Sequence, residues 1–335
     1  MADIKKIFED SFNLLNKQRK LAIPLFLATA IPLALIFLFV QFSGLSPILK
    51  NMAEVQADFD EQKTDYLLDT GNIKDKNYTL ELLGYLGKDR ANSPYQDQFD
   101  DYLTEKGFDY SGFIPLFNAK NGIMLGIFIL LGIVGTIYFS VMSYTVISPA
   151  TAKKKAMNAA EAANKLVFRF ILVRILLAII FIAPMVILGV AAYLFGSFAA
   201  FAVFMALIII YIAYLIFIGT KLFFTLPIMF LENRGAFTSL KQSFTSTKGR
   251  FKQVFFIGFV IWGIGIFINS FVAQPLYDTF YNFIFEPNFL KIFANFMFLL
   301  LFLALESIVM TFQRIFLFNA YLDYKANLKN QQGGK

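Results

Sequence analysis

Glu306 is the residue of this sequence whose position most clearly suggests chemistry. It lies inside the apolar run "LLLFLALESIVMTFQRIF", near the middle of a predicted membrane span. A charge at the centre of a bilayer costs at least ~2.5 kcal/mol on insertion scales, so an intramembrane carboxylate is a functional candidate. Two roles are open for it. It relays protons or cations, or it is a protonated acid that hydrogen-bonds a neighbouring helix and holds the bundle together.

Three basic residues inside or beside predicted spans bear on the question of a partner for this carboxylate. Arg314 is about 12 Å further along the same helix at 1.5 Å per residue, so we expect no direct bond to it. Lys221 and Arg174 lie in other predicted spans, and helix packing could bring either to Glu306. The two arginines are also close enough to span ends for their charged groups to reach lipid phosphates.

The composition excludes much of enzyme chemistry. The chain has no His and no Cys, so it has no thiol nucleophile, no disulfide, no imidazole base and no zinc or haem site of the usual kind. No P-loop, G-x-S-x-G or Asp-rich metal motif is present. We therefore expect no catalytic residue, no cofactor and no metal, and a protein that is not an enzyme.

The same composition is typical of a membrane protein. Of the 335 residues, 58% are hydrophobic and only 16% are charged, against about 25% charged in a soluble domain. A membrane helix needs ~20 mostly apolar residues. Six runs meet that length: 21–42, 122–148, 166–194, 198–226, 254–273 and 290–319. Because lipid offers no hydrogen-bond partner to an unpaired backbone N–H or C=O group, we predict an all-α polytopic fold. The first run, at about 22 residues, is too long for a typical signal peptide core.

The positions of Lys and Arg predict the orientation. Short basic segments stay in the cytoplasm. Most basic residues fall in four segments that we place there: 1–20, 149–165, 231–253 and the tail 320–335. We therefore predict a multi-pass protein of the cell membrane with both termini cytoplasmic and an outer loop at 274–289. The net charge is +7, and the basic residues that produce it lie beside the predicted spans. Membrane topology therefore explains the charge, and we expect no nucleic-acid partner.

An acidic, polar insert at 43–120 separates the first two predicted spans and should lie outside. Its apolar spacing favours a small helical cap on the outer membrane face, while a mobile linker is the alternative. Asn77, Tyr78 and Thr79 form an N-x-T sequon, which is a possible N-glycosylation site if the insert is outside.

The stretch "LENRGAFTSLKQSFTSTKGRFKQ" at 231–253 predicts a helix lying in the membrane interface. Five residues recur at steps of three and four and share one face: Phe237, Leu240, Phe244, Thr247 and Phe251. We expect that face to contact acyl chains and the basic residues to contact phosphates of anionic lipids. The candidates for phosphate contact, here and after the second span, are Lys241, Lys248, Arg250, Lys252, Lys153, Lys154 and Lys155.

Similar basic amphipathic helices are predicted at 1–20 and 149–165. The sequence "SFNLLNKQRKLAIPLF" from Ser11 aligns with "SFTSTKGRFKQVFFIG" from Ser243. We therefore predict a threefold repeat, each unit a cytoplasmic amphipathic helix followed by a transmembrane hairpin. Internal repeats of this kind are common in transporters.

The chain also resembles a known group of membrane proteins. In the stretch "LPIMFLENRGAFTSLKQSFTSTKGRFKQVFF", a proline and several hydrophobic residues precede an acidic residue. A small residue, an S-F pair and a K-G-R-F run follow it. In these residues the chain resembles a poorly characterised superfamily that includes YciC-like proteins and the membrane domain fused to some glycerophosphodiester phosphodiesterases. The resemblance implies six spans and carries over no catalytic residue, because the phosphodiesterase chemistry resides in a separate soluble domain. The insert at 43–120 is longer than the family pattern implies.

These observations favour a non-enzymatic integral membrane protein whose partners are the bilayer and its anionic lipids. A transporter or channel that uses Glu306 is the alternative. A lipid-modifying membrane enzyme is the third possibility, and it would need clustered acids at one face that the sequence does not show.

Overall fold

A computed structural model describes residues 4–43, 119–154, 158–195, 198–266 and 289–333 of the protein. The prediction of an outer helical cap, the Asn77 sequon, the outer loop at 274–289 and Lys155 lie outside these residues.

All regular secondary structure in the described residues is helical, as predicted. The helices are α1 Ile4–Lys17, a 3-10 turn Arg19–Ala22, α2 Ile23–Phe42, α3 Ala119–Thr151, α4 Ala159–Phe195, α5 Phe198–Leu222, α6 Thr225–Glu232, α7 Ala236–Ser246, α8 described over Phe251–Ile266, and α9 Phe289–Gly333.

Five stretches of the described helices are long and apolar enough to cross a membrane: Arg19–Phe39, Lys120–Thr151, Ala159–Val186, Leu207–Glu232 and Phe296–Leu328. They correspond to five of the six predicted spans. The sixth, 254–273, is described only to Ile266, and α7 with α8 would pass as one span only with a bend of 115° between them. Several apolar helices of this kind indicate a multi-pass membrane protein.

Exposed side chains on these helices agree with a lipid environment. On α3, Ile123 and Leu130 are 65% and 61% exposed, and on α4 Met185 is 62% exposed. A soluble domain rarely exposes a contiguous apolar surface of this extent. These faces therefore fit contact with acyl chains.

The chain divides into two compact units. Unit 1 comprises Met1–Pro32, Gly132–Leu276 and Leu300–Lys335, and unit 2 comprises Leu33–Leu131 and Tyr277–Leu299. In unit 2, Phe39 packs edge-on against Phe128 with ring centroids 6.2 Å apart. All residues of the candidate site belong to unit 1.

The core of unit 1 is built around Tyr144 of α3. Its ring stacks on Phe230 of α6 at 4.9 Å and on Phe318 of α9 at 6.1 Å, and it lies 5.8 Å from Phe170 of α4. Four helices thus meet through aromatic rings, which bury large areas and favour such offset or tilted pairs.

The predicted amphipathic helix at 149–165 is wrong as a separate element. Helix α3 continues through Pro149 to Thr151, and α4 already begins at Ala159. Near the end of α3, the hydroxyl of Ser148 donates to the carbonyl of Phe230 at 3.2 Å, so it does not cap a new helix. Lys153, with φ 52°, adopts the left-handed conformation just after α3 ends.

Two other predicted boundaries also shift. The segment 231–253 contains the end of α6, all of α7 and the start of α8, so it is not one helix. The predicted tail 320–335 is largely the continuation of α9, which reaches Gly333. A polar helix can extend beyond the bilayer without a break, and hydropathy alone does not mark where the helix ends.

Candidate functional site

Several basic segments of unit 1 meet at one end of it, which we call the basic end: α1, the α3–α4 connection, α6, α7 and the last turns of α9. Asn319 of α9 donates to the hydroxyl of Ser11 on α1 at 2.9 Å. Lys325 of α9 contacts Glu232 of α6 at 2.6 Å. These contacts bring together segments that the charge pattern assigned to one side of the membrane.

Glu232 is the centre of the polar contacts at the basic end. Its carboxylate accepts hydrogen bonds from Lys325 Nζ at 2.6 Å, from the hydroxyl of Tyr321 and from Gln242 Nε2 at 2.9 Å. Arg234 Nε lies 3.7 Å from the same carboxylate, whose side chain is only 12% exposed. The carboxylate joins α6, α7 and α9. Because hydrogen-bond donors occupy its oxygens, it suits a structural link between helices better than a catalytic base.

Sequence reasoning missed this cluster, although one signal was present. Glu232 is the single acid in the otherwise basic segment 231–253. Its partners Tyr321 and Lys325 are distant in sequence, so only the folded structure reveals them.

Helix α7 packs against the protein through hydroxyl groups. Ser239, Ser243 and Thr247 are fully buried and recur every four residues, so they form one stripe along the helix and its C-cap. The Ser243 hydroxyl donates to the carbonyl of Lys221 at 2.9 Å and accepts from the backbone N–H of Phe224 at 3.2 Å. Because α5 ends at Leu222, these backbone groups are among those that a helix end leaves unpaired. Ser243 satisfies both.

The opposite face of α7 is exposed and combines aromatic with basic side chains. Phe237 is 66% exposed and Phe244 is 43% exposed, and Lys241 and Lys248 are exposed between and beyond them. At 100° per residue, Phe237, Lys241 and Phe244 lie within about 60° of one another, and Lys248 follows in the turn just after α7 ends. We call these four residues the Phe/Lys stripe.

The face of α7 that was predicted to contact acyl chains is only partly exposed. Phe237 and Phe244 are exposed, but Leu240 and Thr247 are buried. Small hydroxyl side chains let the helix approach its neighbours closely and satisfy their backbone groups, so they form the packed face. Hydropathy alone would place the phenylalanines in the core, whereas the structure exposes them. The lysines lie on the same side of the helix as the phenylalanines, not on the opposite side.

Helix α1 repeats the arrangement of α7 at the aligned positions. Ser11, which aligns with Ser243, is fully buried, and Phe12, which aligns with Phe244, is 56% exposed. Phe8, one turn earlier, is 45% exposed. Both helices thus present phenylalanine outward beside a buried serine.

The other phosphate candidates differ in their surroundings. Arg250 lies 5.4 Å above the ring of Tyr324, a cation–π contact, and it has a further interaction. Lys252, Lys153 and Lys154 are exposed. The structure therefore offers Lys241, Lys248 and Lys252 on α7 and α8, and Lys153 and Lys154 after α3, as accessible cations.

The basic residues predicted near Glu306 are held elsewhere. Arg314 Nη1 donates to the carbonyl of Ser140 at 3.1 Å, and its guanidinium lies 4.1 Å from the ring centroid of Tyr144. The remaining two form cation–π contacts: Arg174 with Phe170 at 5.0 Å, and Lys221 with Phe217 at 5.8 Å and Phe244 at 5.5 Å. Their charges are stabilised by aromatic faces and carbonyls.

Glu306 itself is partly buried on α9. Within the described ranges it forms no hydrogen bond and no ion pair, whereas its neighbour Ser307 donates to the carbonyl of Ala304 at 2.8 Å. The predicted tie to a neighbouring helix is thus not seen among these residues.

The described residues hold no group of three or more His, Cys, Asp or Glu side chains arranged to bind a metal ion. What the basic end presents is exposed cations beside exposed phenylalanines. This arrangement suits binding of a surface with both apolar and anionic parts.

Comparison with curated proteins and with solved structures found no match. The resemblance to YciC-like proteins and to the membrane domains fused to phosphodiesterases gains no support from the family comparison. One family model does match, over residues 14–322, and it is described as a family of unknown function. Because the match spans most of the described helices, the chain belongs to this family, DUF7544.

Proposed function

We propose that the protein is a non-enzymatic integral membrane protein whose basic end engages anionic lipids. The observation that carries this proposal is the Phe/Lys stripe of α7. Exposed phenylalanines on an amphipathic helix insert at the boundary between headgroups and acyl chains, and lysines on the same face reach the phosphates. A lysine near an anionic surface contributes about 1 kcal/mol.

The contacts of α7 support this geometry. Its hydroxyl stripe fixes the helix to the end of α5 and the start of α6, so the rotation of the helix is set by Ser243 and Thr247. Because the helix is anchored in this way, Phe237 and Phe244 are presented outward without a cost of ordering upon binding.

A second helix with the same features strengthens the proposal. Helix α1 exposes Phe8 and Phe12, and basic residues flank it at Lys17 and Arg19. In each case a short helix precedes an apolar helix, α2 or α8. The proposal extends the predicted repeat to these two units only, because residues 149–165 contain the end of α3 and the start of α4 instead of a separate short helix.

The proposal places the basic end in the cytoplasm of a cell and the protein in its plasma membrane. The reason is the positive-inside rule, since the basic end gathers the Lys- and Arg-rich segments. Lys120, at the start of α3, would then lie near the outer surface.

The lipid preference of the full chain in nanodiscs tests this function. Spin-labelled phosphatidylglycerol and phosphatidylcholine report, by EPR, the fraction of each lipid that the protein immobilises. The double variant Lys241→Gln, Lys248→Gln should lose much of the preference for phosphatidylglycerol, because two phosphate contacts disappear. Lys120→Gln removes a single exposed charge at the start of α3, outside the stripe, and is the control. An unchanged preference in the double variant would refute the proposal.

Glu306 favours a second candidate, a transporter or channel. A partly buried carboxylate without a partner in the described residues is expensive in a span, and such residues often serve ion or proton pathways. Purified protein in proteoliposomes should then show an ion or proton flux that Glu306→Gln abolishes while the fold stays intact. No flux in folded wild type over a panel of ions would remove this candidate. No arrangement of described residues favours the third possibility, a lipid-modifying enzyme.

A further inference from the structure

We propose that the cleft between the end of α3, the start of α4 and the end of α6 binds the headgroup of one anionic phospholipid. This inference rests on the proposed lipid engagement but concerns a discrete site. It is separate from the Phe/Lys stripe, which would contact lipid as an exposed surface.

The cleft is a cavity of about 500 Å³ at the basic end. Drug-sized ligands occupy pockets of roughly 300–1,000 Å³, so a phosphoglycerol headgroup with the start of its acyl chains fits by volume. Its walls come from three helices that the hydrogen bond between Ser148 and Phe230, and another between Arg169 and Asn233, hold together.

Among the described residues that line this cleft, three are cations and none is a carboxylate. The cations are Lys154 after α3, and Lys165 and Arg169 on α4. Lys165 is paired with Glu161 at 2.7 Å, whereas Lys154 and Arg169 form no ion pair within the described residues. The lining therefore carries a positive charge that its own walls do not neutralise, which is the complement of a phosphate.

Arg169 is held in place for such a contact. Its Nη1 donates to Asn233 Oδ1 at 2.9 Å and more weakly to the Asn233 carbonyl at 3.4 Å. Asn233 ends α6 in the left-handed conformation, with φ 52°, which asparagine tolerates better than most residues. A guanidinium has five N–H donors in a planar fork that matches phosphate, and only Nη1 is committed here.

The remaining lining is apolar, which favours a lipid over a soluble phosphate. Phe230, Leu231, Leu166 and Pro149 border the same cavity as the cations. The cleft lies where two candidate spans, Lys120–Thr151 and Leu207–Glu232, end. An amphiphile could thus place its phosphate on Lys154 and Arg169 and its glycerol and first methylenes on the apolar wall.

Native mass spectrometry of the full chain, released from detergent with dioleoyl phosphatidylglycerol or dioleoyl phosphatidylcholine, tests the site. Wild type should bind one phosphatidylglycerol more tightly than any phosphatidylcholine. The double variant Lys154→Gln, Arg169→Gln should weaken that first binding step about thirtyfold, the effect of two phosphate contacts. Ala162→Phe fills the cleft without changing charge and should weaken it as well.

The control is Lys241→Gln with Lys248→Gln, which removes two charges outside the cleft and should retain the first phosphatidylglycerol. If only this control loses anionic lipid, lipid contact by the Phe/Lys stripe is supported and the cleft site is refuted. If the cleft variants lose the discrete lipid while the control keeps its preference for phosphatidylglycerol in the EPR measurement, the cleft site is supported and lipid contact by the stripe is refuted.

Two further results would overturn the cleft site. One is equal affinity of wild type for the two lipids. The other is displacement of the bound lipid by sn-glycerol 1-phosphate at equal concentration, which would identify a soluble phosphate as the occupant. Thermal unfolding of each variant checks the fold, and Ala162→Phe carries the test if loss of the Asn233 contact destabilises the double variant.

Discussion

At the scale of single residues, Glu232 shows what sequence reasoning could and could not reach. Its position as the sole acid in a basic segment is visible in the sequence. Its contacts with Tyr321 and Lys325 depend on the packing of α6 against α9 and have no local signature. For Glu306, the sequence predicts the free-energy cost of placing a carboxylate in a membrane span, but it does not predict which residues surround that carboxylate. In the described residues, neither Lys221 nor Arg174, the two partners that helix packing could supply, pairs with it.

We predict that Glu232→Gln destabilises the protein by about 1–3 kcal/mol, because charged hydrogen bonds to a largely buried carboxylate are lost. Thermal unfolding in detergent, followed by the fluorescence of the single tryptophan, Trp262, measures the change. Glu161→Gln removes a carboxylate whose ion pair with Lys165 has a similar length, 2.7 Å, but lies on an exposed helix surface, so the stability should stay nearly unchanged. Equal effects of the two variants would contradict a structural role for Glu232.

At the scale of elements, the apolar runs predicted where most helices lie, but not how the short helices face. The spacing at steps of three and four placed Leu240 and Thr247 on the predicted lipid-facing side, and the structure buries both because the hydroxyl stripe of α7 packs against the end of α5 and satisfies its backbone. The break between α7 and α8 is also local chemistry. It occurs at Gly249, whose φ of 80° is the left-handed region that glycine adopts without strain.

We expect Gly249→Ala to destabilise the protein by about 1 kcal/mol, since a Cβ in the left-handed region is strained even though nothing lies within 4 Å of it. Gly235→Ala is the matched control. That glycine also has open space around it, but its φ is −69°, so alanine should be tolerated. Thermal unfolding compares the two, and an equally stable Gly249→Ala would mean that the turn can relax.

At the scale of the whole molecule, composition and length predicted the helical membrane class, and five of six predicted spans have a counterpart among the described helices. The helix ends differ because α3 and α9 extend past their apolar runs. The gathering of the basic segments at one end follows from the charge pattern. The contacts that hold them there, through Ser11, Ser148 and Glu232, join distant parts of the chain and were not predictable.

The predicted orientation can be tested by cysteine labelling, since the chain has no native cysteine. A membrane-impermeant maleimide should label Lys120→Cys on intact cells and should label Lys241→Cys only after permeabilisation. Both side chains are exposed in the structure, so the difference reports sidedness and not burial. The reverse labelling pattern would place the basic end outside and contradict the positive-inside assignment.

The central claim is that the Phe/Lys stripe lies in the membrane interface, and a depth measurement tests it most directly. A spin label on Phe237→Cys of the full chain, in nanodiscs containing phosphatidylglycerol, should collide more with oxygen than with a water-soluble nickel chelate. A label at Lys252→Cys should favour the chelate, because that lysine is expected to face the phosphates and water. If the label at position 237 is instead as accessible to the chelate as the label at 252, α7 faces water and the account of lipid engagement is wrong.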